Sequence, residues 1–286
     1  MTMPRKPGPT IRRWQLGYEL REHREAASVS IKAAAAEIEV QPATLSKIEG
    51  GKQAIKGTYV KLLAPMYNLP SDERARLLEL ATEANQPGWW VSYGKLVPDW
   101  FKLYLGYELD ASDLCTYESE LVPGLLQTVD YARAVALATR PDSSDTELDK
   151  QVELRRERQQ RIFTTEPPTV RAVLNEAVLL RLTGGHAVMR EQLEHLARLA
   201  ELPHVTIQVL TFDSGAHPAM TAPFSLLGFE QEPRMNTVYL ENGRGSLYLE
   251  KPADVHRYTT MFDQLCRQAL EPQASRELID RVAINL

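Results

Sequence analysis

The fold of the N-terminal part of the chain is decided by residues 28–52, SVSIKAAAAEIEVQPATLSKIEGGK. Ser28 and Ser30 offer side-chain oxygens that can cap a helix start, and the alanine-rich segment 31–38 follows at once. We therefore expect a short helix over 31–38. Residues 39–40 come directly after it and supply a turn.

A second short helix is predicted over 43–49. Pro42 lies where the first turn of a helix tolerates proline, and Gly50-Gly51 closes the segment as glycines commonly close helices. Two short helices joined by a tight turn predict a helix-turn-helix, whose second helix enters the major groove of DNA. The outer face of this helix carries short polar groups and one cation, which suit base edges. These are Gln41, Thr44, Ser46 and Lys47.

The order of these signals resembles the Xre/Cro family of DNA-binding domains, whose recognition helix ends Ser-x-Ile-Glu-x-Gly. Residues 46–51 here are SKIEGG. Members often carry a phosphate-gripping glutamine at the second position of the first helix. Ile31 occupies that place with Lys32 beside it, so we expect Lys32 to take over the contact. A helical hairpin in an ordinary core is the alternative. The contact residues that the resemblance implies on duplex DNA are Lys32, Gln41, Pro42, Ala43, Thr44, Ser46, Lys47 and Lys52.

Three further helices complete a predicted all-α domain of five helices over residues 14–84. They are expected at 16–27, 58–67 and 71–84, and Ser71 is expected to cap the last one. Residues 1–13 contain Arg5, Lys6, Arg12 and Arg13 among prolines. A basic flexible tail is therefore expected there, either solvated or lying along the DNA backbone.

The charge distribution agrees with a nucleic-acid-binding N-terminus. Residues 1–60 contain ten Lys and Arg against six Asp and Glu, a net charge of +4, and the remainder contains 23 against 32, a net charge of −9. A basic region on an acidic protein is expected of a phosphate-binding domain. An asymmetry of this size also arises by chance, so charge alone does not establish the interface.

Length and composition place the chain among globular proteins. It has 286 residues, 43% of them hydrophobic, which is enough for the N-terminal domain and a second domain of about 190 residues. No apolar run reaches the ~18–20 residues of a membrane span, and residues 1–13 lack the apolar segment of a secretory signal. Cys115 and Cys266 show no partner spacing. We therefore expect reduced thiols in a cytoplasmic, nucleoid-associated protein.

Residues 85–99, NQPGWWVSYGKLVPD, connect the two domains. Pro87-Gly88 breaks the preceding helix, and Trp89, Trp90 and the nearby Trp100 make the segment aromatic rather than rich in Gly and Ser. Such a connector is expected to pack against the second domain and fix the orientation of the first. An aromatic ligand cage is the alternative.

Residues 100–286 alternate helical and strand patterns, which predicts a mixed α+β domain with a sheet of four to six strands covered by helices. Strands are expected at 114–119, 169–174, 205–212, 224–229 and 237–241. Helices are expected at 101–110, 128–139, 146–163, 176–182, 189–200, 253–270 and 274–282.

Several sequence segments of this domain resemble one family. They are ELVPGLLQT at 120–128 with YARA at 131–134, NEAVL at 175–179 with MREQL at 189–193, and VTIQV at 205–209. They resemble the C-terminal domain of actinobacterial Xre-type regulators (domain of unknown function 5753). The resemblance implies transcriptional control and antitoxin-like regulation by a small protein encoded beside the regulator. It supplies no catalytic mechanism.

The sequence contains no pattern typical of an enzyme. Asp213, Ser214 and His217 lie within five residues, whereas a hydrolytic triad draws its members from separated elements. The histidines show no metal-ligand spacing with cysteines or acids, and no phosphate-cradling loop of the G-x-x-x-x-G-K type occurs. We therefore expect no catalytic residues, no metal and no cofactor.

Regulation leaves two hypotheses open. Polar residues at strand ends, with aromatic rings near them, suit a small-ligand cleft, and they equally suit turns and a buried hydrogen-bond network. The residues concerned are Glu118, Asn175, Glu176, Gln208, Phe212, His217 and Phe224. The sequence predicts a DNA-binding regulator that dimerises through residues 100–286 on a pseudo-palindromic operator. Control by a small protein partner is the first hypothesis, and control by a small molecule is the alternative.

Overall fold

The boundary between the two structural units of the chain lies inside the predicted connector 85–99. In this computed structural model, which describes residues 8–230 and 232–286, the first unit ends at Ser92 and the second begins at Tyr93. A 3₁₀ segment, Trp89–Leu96, spans the boundary, with a kink at Gly94 where φ is +56°. Trp90 is buried, whereas Trp89 and Trp100 are partly exposed.

The N-terminal unit is helical. Its α-helices are α1 (Pro9–Ala26), α2 (Ile31–Glu37), α3 (Pro42–Glu49), α4 (Gly57–Met66) and α5 (Ser71–Ala84). Their inward faces share one apolar core, in which Leu16, Leu45, Ile48 and Leu63 are at most 1% exposed. The helix-turn-helix pair α2 and α3 therefore rests on a common scaffold formed by α1, α4 and α5.

The predicted flexible tail over residues 1–13 is wrong for residues 9–13, because α1 begins at Pro9, a residue that a first helical turn accepts. Arg12 forms an ion pair of 3.2 Å with Glu83, and Arg13 donates a hydrogen bond to the last carbonyl of α5. These arginines therefore hold α1 against α5. Residues 1–7 lie outside the described residues.

The helix ends of the N-terminal unit follow one local pattern. A left-handed residue, with φ between +54° and +68°, follows each of the first four helices. The next amide then donates to the carbonyl five residues back, a Schellman-type closure. The amide-to-carbonyl pairs are Val29–Arg24, Val40–Ala35, Lys52–Lys47 and Leu69–Ala64. The predicted turn at residues 39–40 is thereby confirmed.

The predicted cap at Ser30 is also confirmed, since its hydroxyl accepts from the Ala33 amide at 3.1 Å. The predicted cap at Ser71 is wrong, because Pro70 precedes α5 and no side chain among the described residues caps that helix.

The C-terminal unit is a mixed α+β domain. Its helices are α6 (Asp99–Asp110), α7 (Val129–Thr139), α8 (Asp145–Gln159), α9 (Glu176–Leu180), α10 (His186–Leu199), α11 (Pro252–Gln268) and α12 (Pro272–Ile284). Its strands are β1 (Asp113–Glu118), β2 (Thr169–Asn175), β3 (Val205–Leu210), β4 (Phe224–Gly228), β5 (Thr237–Asn242) and β6 (Gly245–Leu249).

The strands form one six-stranded sheet in the order β3-β2-β1-β4-β5-β6, within the predicted range of four to six. β1 pairs in parallel with β2, and β2 with β3. β1 also pairs antiparallel with β4, which continues into β5 and β6. β6 was not predicted. The NGRG turn before it, in which the Asn242 side chain accepts from the Arg244 amide at 2.9 Å, was the signal that could have revealed it.

The register gives the sheet two distinct faces. One face, which we call the Tyr117 face, carries Tyr117, Val173 and Phe224 and packs into an apolar core with Phe262 and Leu265 of α11. The opposite face, the Thr116 face, carries a row in which Thr116 of β1 lies beside Ser225 of β4, then Tyr239 of β5 and Tyr248 of β6. Rings of α6 cover the β5 and β6 end of that row.

Candidate nucleic-acid interface

Helix α3 turns an apolar side inward and a polar side outward. Leu45 and Ile48 are at most 1% exposed and hold the helix on the core of the N-terminal unit. On the opposite side Gln41, Pro42, Ala43, Ser46 and Lys47 are exposed, and Thr44 is half-buried. Lys32, on the first turn of α2, and Lys52, after α3, are exposed as well. All the predicted contact residues except Thr44 are therefore open to solvent, as base-edge and phosphate contacts require.

A buried ion pair fixes the end of α3 to α1. The Arg24 guanidinium donates to both carboxylate oxygens of Glu49, at 2.7 and 3.0 Å, and the two side chains are 10% and 5% exposed. Arg24 also donates to the Val29 carbonyl at 3.1 Å. The bidentate bonds to Glu49 raise the pKa of Arg24, so the guanidinium stays charged.

Two glycines allow the backbones at this junction to approach closely. A Cβ added at Gly17 would overlap the Ile48 carbonyl, and one added at Gly51 would meet the Trp14 backbone at 2.7 Å. Gly51 also has φ of +68°, which a side chain rarely adopts. The position of the recognition helix is therefore set by backbone contact as well as by the ion pair.

The sequence-based reasoning did not identify this ion pair. In the sequence, Glu49 ends the helix predicted over 43–49 as part of SKIEGG, and Arg24 is one of several arginines around the helix predicted at 16–27. A charged residue one position after the core residue Ile48 was the available signal, since a buried carboxylate needs a cation. At the start of α2, Ile31 packs against the core, and its neighbour Lys32 is exposed.

The structure does not bring together the seven residues predicted for an effector pocket or partner site. Glu118 lies on the Thr116 face, whereas Asn175, Gln208 and Phe224 lie on the Tyr117 face, because side chains alternate along each strand. Tyr117 and Glu118 are neighbours in β1, and this difference of one position is enough to place their side chains on opposite faces of the sheet.

Several of these seven residues have structural partners. Gln208 donates to the carbonyls of Cys266 and Leu270 at 3.1 and 2.9 Å, and Asn175 caps α9. Glu176 accepts from the Phe212 amide at 2.8 Å. The hydrogen-bond network, which was the other interpretation of these residues, accounts for all three.

Of the last three residues, Phe212 is exposed, and His217 and Phe224 lie beside Tyr117. His217 Nε2 lies 3.3 Å from the Tyr117 hydroxyl, and burial lowers the pKa of this histidine. Phe224 is buried next to the same tyrosine ring. The Ser214 hydroxyl donates to the Thr211 carbonyl at 2.6 Å rather than to His217. Within residues 8–230 and 232–286, no group of three His, Cys, Asp or Glu side chains could hold a metal ion.

The Thr116 face holds a group of charged residues that the sequence-based reasoning missed. We call it the charged cleft, and define it by Glu108 of α6, Glu118 of β1, Arg155 and Arg158 of α8, and Tyr239 and Glu241 of β5. Arg158 makes a bidentate ion pair with Glu108, both contacts at 2.7 Å. Its guanidinium also lies over the Phe101 and Tyr104 rings. The members come from four elements, so only the folded chain assembles them.

Glu118 and Arg155 of the charged cleft have strongly shifted pKa values. Burial raises the pKa of Glu118 to about 8, with the nearby Glu241 adding to the shift and Arg155 opposing it. Burial also lowers the pKa of Arg155 to about 10, together with repulsion from Arg158. Perturbed groups gathered in one place are typical of binding sites. The signal in the sequence was the run KQVELRRERQQR, which supplies Arg155 and Arg158 from a helix that was interpreted only as densely charged.

Comparison with known protein families agrees with this division. A helix-turn-helix domain model matches residues 15–77, which span α2, α3 and most of the helical scaffold. A model described as domain of unknown function (DUF5753) matches residues 101–281. No curated protein matches the chain. No solved structure matches it either. In the described part of the chain, no helix is long and apolar enough to cross a membrane. The chain belongs to the family defined by the DUF5753 domain and carries a helix-turn-helix domain before it.

Proposed function

We propose that the chain is a sequence-specific transcriptional regulator of the Xre type that binds duplex DNA as a homodimer and acts in the cytoplasm. The observation that supports the proposal is the helix-turn-helix domain over residues 15–77. In this domain the Arg24–Glu49 pair fixes the end of α3 to α1, and the polar side of α3 is exposed. We assign the base contacts to Gln41, Thr44, Ser46 and Lys47 on α3, and the phosphate contacts to Lys32 and Lys52.

The length of α3 supports dimeric binding. Its eight residues span about 12 Å at 1.5 Å per residue, which reaches only about three or four base pairs. Two copies related by a two-fold axis would read two half-sites about one helical turn apart. The C-terminal unit is the larger of the two units, and we assign dimerisation to it.

We further propose that the C-terminal unit receives the regulatory signal from a small protein partner, in an antitoxin-like manner, and has no catalytic activity. The resemblance of this unit to the regulators named in the sequence analysis, together with the family match over residues 101–281, supports this role. The second candidate is control by a small molecule, and Glu118 and Arg155 of the charged cleft, which share a region of the Thr116 face and have strongly shifted pKa values, favour it.

Selection of binding sites from random duplex DNA tests the DNA-binding proposal. The full chain should enrich a pseudo-palindrome whose half-sites are one helical turn, or a multiple of it, apart, and it should sediment as a dimer. A monomer that protects a single asymmetric half-site would overturn the dimer model.

Purification of the chain from its native host tests the regulatory proposal. A small protein should co-purify in stoichiometric amount and change operator affinity when added back. If the only molecule that changes operator affinity is a metabolite, the small-molecule alternative replaces the partner model.

A further inference from the structure

We infer that the charged cleft binds a small anionic metabolite, whose carboxylate or phosphate group is held by the Arg155 guanidinium with Glu118 as a second hydrogen-bonding group. The inference deepens the small-molecule alternative under the proposed function, and it depends on DNA binding only for its regulatory consequence. It is carried by two side chains that lack partners, by the loop that positions them, and by the polar character of the sheet beneath them.

Arg155 is the first unpartnered group. It is partly buried, and within the described residues its guanidinium has no ion pair within 4.0 Å and no hydrogen bond. Its neighbour Arg158, one helical turn along α8, is fully engaged with Glu108. Both Glu108 oxygens therefore face Arg158, and the charges of Glu108 and Glu241 favour the Arg155 cation without contacting it. A partly buried guanidinium with no hydrogen bond is unfavourable for the protein alone and becomes favourable when an anion binds to it directly.

Glu118 is the second unpartnered group. It is the last residue of β1 and is partly exposed, and its carboxyl forms no hydrogen bond among residues 8–230 and 232–286. The charges that act on its pKa are those of Glu241, which raises it, and Arg155, which lowers it. Glu241 is exposed and accepts a hydrogen bond of 2.7 Å from the Tyr239 hydroxyl. The raised pKa of Glu118, about 8, leaves it mostly protonated at pH 7. In that state it can donate a hydrogen bond to an anion instead of repelling it.

The loop after β1 positions Arg155. A Cβ added at Gly124 would overlap the Arg155 guanidinium, so this glycine leaves the space that the cation occupies. The loop itself is rigidly held. Gln159 of α8 donates to the carbonyls of Gly124 and Gln127 at 3.1 and 2.6 Å, and the buried Gln192 of α10 donates to the Leu126 carbonyl at 2.8 Å. The segment ELVPGLLQT at 120–128 therefore shapes one side of the charged cleft.

The sheet beneath the charged cleft is polar where a closed core would be apolar. Thr116 and Ser225 lie side by side on the two central strands, β1 and β4, and both are partly exposed. Their hydroxyls are 3.2 Å apart. On the same face, the Tyr104 and Tyr239 rings are 4.3 Å apart and form an aromatic wall. Partly exposed polar groups in the middle of a sheet, with aromatic side chains beside them, are typical of a ligand cleft.

Thermal-shift measurements on the full chain test the inference. The probes are inorganic phosphate and benzoate, with benzamidine as the cationic counterpart of benzoate. Either anion should raise Tm by about a few degrees at saturation, and benzamidine should not. Arg155→Met should abolish the shift, whereas Arg156→Gln, at an exposed arginine of the same helix, should keep it. The inference is overturned if neither anion raises Tm, or if Arg155→Met responds like the wild-type protein.

The unliganded variants provide a second test that needs no ligand. Arg155→Met removes an unpaired charge and should leave Tm unchanged or higher. Arg158→Met should lower Tm by several degrees, because it leaves Glu108 buried and unpaired. An equal loss of Tm in both variants would make Arg155 a structural residue and overturn the inference. Gly124→Ala should weaken anion binding, since the flexible end of Arg155 must move away from the added Cβ, while the Arg158 guanidinium, 3.2 Å from that Cβ, needs to give only slightly.

The pH profile of binding tests the role of Glu118. Anion affinity should fall up to about tenfold per pH unit above pH 8, as Glu118 becomes charged. Glu118→Gln should retain the affinity measured at pH 7 and lose this pH dependence. A pH profile that is unchanged in Glu118→Gln removes Glu118 from the site. Operator affinity measured with and without the anion tests the regulatory consequence, and an unchanged affinity would overturn that consequence while leaving the binding site intact.

Discussion

Replacing Glu49 by Gln should destabilise the N-terminal unit more than any exposed charge substitution there. The variant keeps the shape of the side chain and removes the charge that Arg24 faces across two hydrogen bonds of 2.7 and 3.0 Å. Breaking a buried pair from one side costs about 3–5 kcal/mol. Arg24 keeps the Val29 carbonyl at 3.1 Å and Glu25 at 3.2 Å. We therefore expect a loss near the lower limit, about 3 kcal/mol, in the free energy of unfolding.

Native-state hydrogen exchange measures this loss within the N-terminal unit, which matters because a chain of two units need not unfold in one step. Amides of α1 and α3 should lose protection corresponding to about 3 kcal/mol. Glu25→Gln is the matched control. Its carboxylate also contacts Arg24, but its side chain is 47% exposed, so the loss of protection should be much smaller than in Glu49→Gln.

The double variant Arg24→Met, Glu49→Leu separates the pair from its surroundings. Replacing both partners by apolar residues should restore most of the stability lost in Glu49→Gln, because no unpaired charge remains. Equal losses in Glu49→Gln and Glu25→Gln would refute the reasoning, since they would show that burial of the pair has no energetic consequence.

Three further predictions concern DNA contact, pH and the connector. Lys47→Ala should reduce the free energy of operator binding by about 1–3 kcal/mol and relax base preference at one position. Lys32→Ala should instead weaken binding to all DNA sequences alike and reduce the slope of log affinity against log salt concentration by about one. If both variants lost equal affinity for specific and random DNA, this assignment would be contradicted. The pKa of Glu118 rises from 4.5 in the unfolded chain to about 8 in the fold, so the native state binds more protons and the free energy of unfolding should fall as pH rises from 4.5 to 8. The fall is at most about 5 kcal/mol before solvent screening of this partly exposed group, and denaturant unfolding of Glu118→Gln should show a flatter pH dependence. Replacing both Trp89 and Trp90 by Ala should change operator affinity, while the amides of α1–α5 remain protected from hydrogen exchange. Unchanged affinity in this variant, together with full quenching of the wild-type indole emission by iodide, would show that the connector is only a tether.

The bounds of the helix-turn-helix could be predicted from the sequence because their determinants are local. The Ser30 cap, Pro42 in the first turn of α3 and the left-handed Gly51 act within a few residues of the helix ends that they fix. The alternation in VTIQVL likewise predicted β3 at 205–212, and the strand occupies Val205–Leu210. Residues 9–13 were mispredicted because their helical state depends on Arg12 and Arg13 contacting α5, more than 70 positions along the chain.

The sequence by itself determined most of the helices and strands, apart from β6 and the start of α1, and which side of α3 is polar. Only the tertiary structure decided which charges meet. Arg24 and Glu49 are 25 residues apart, and Glu108 and Arg158 are 50 residues apart. The strand register likewise placed Glu118 beside Arg155 on one face of the sheet and Gln208 on the other. The physical reason is the distance along the chain over which each kind of interaction acts. Capping, backbone conformation and side-chain periodicity act over a few residues, whereas ion pairing and burial depend on distances in space that only the folded chain sets.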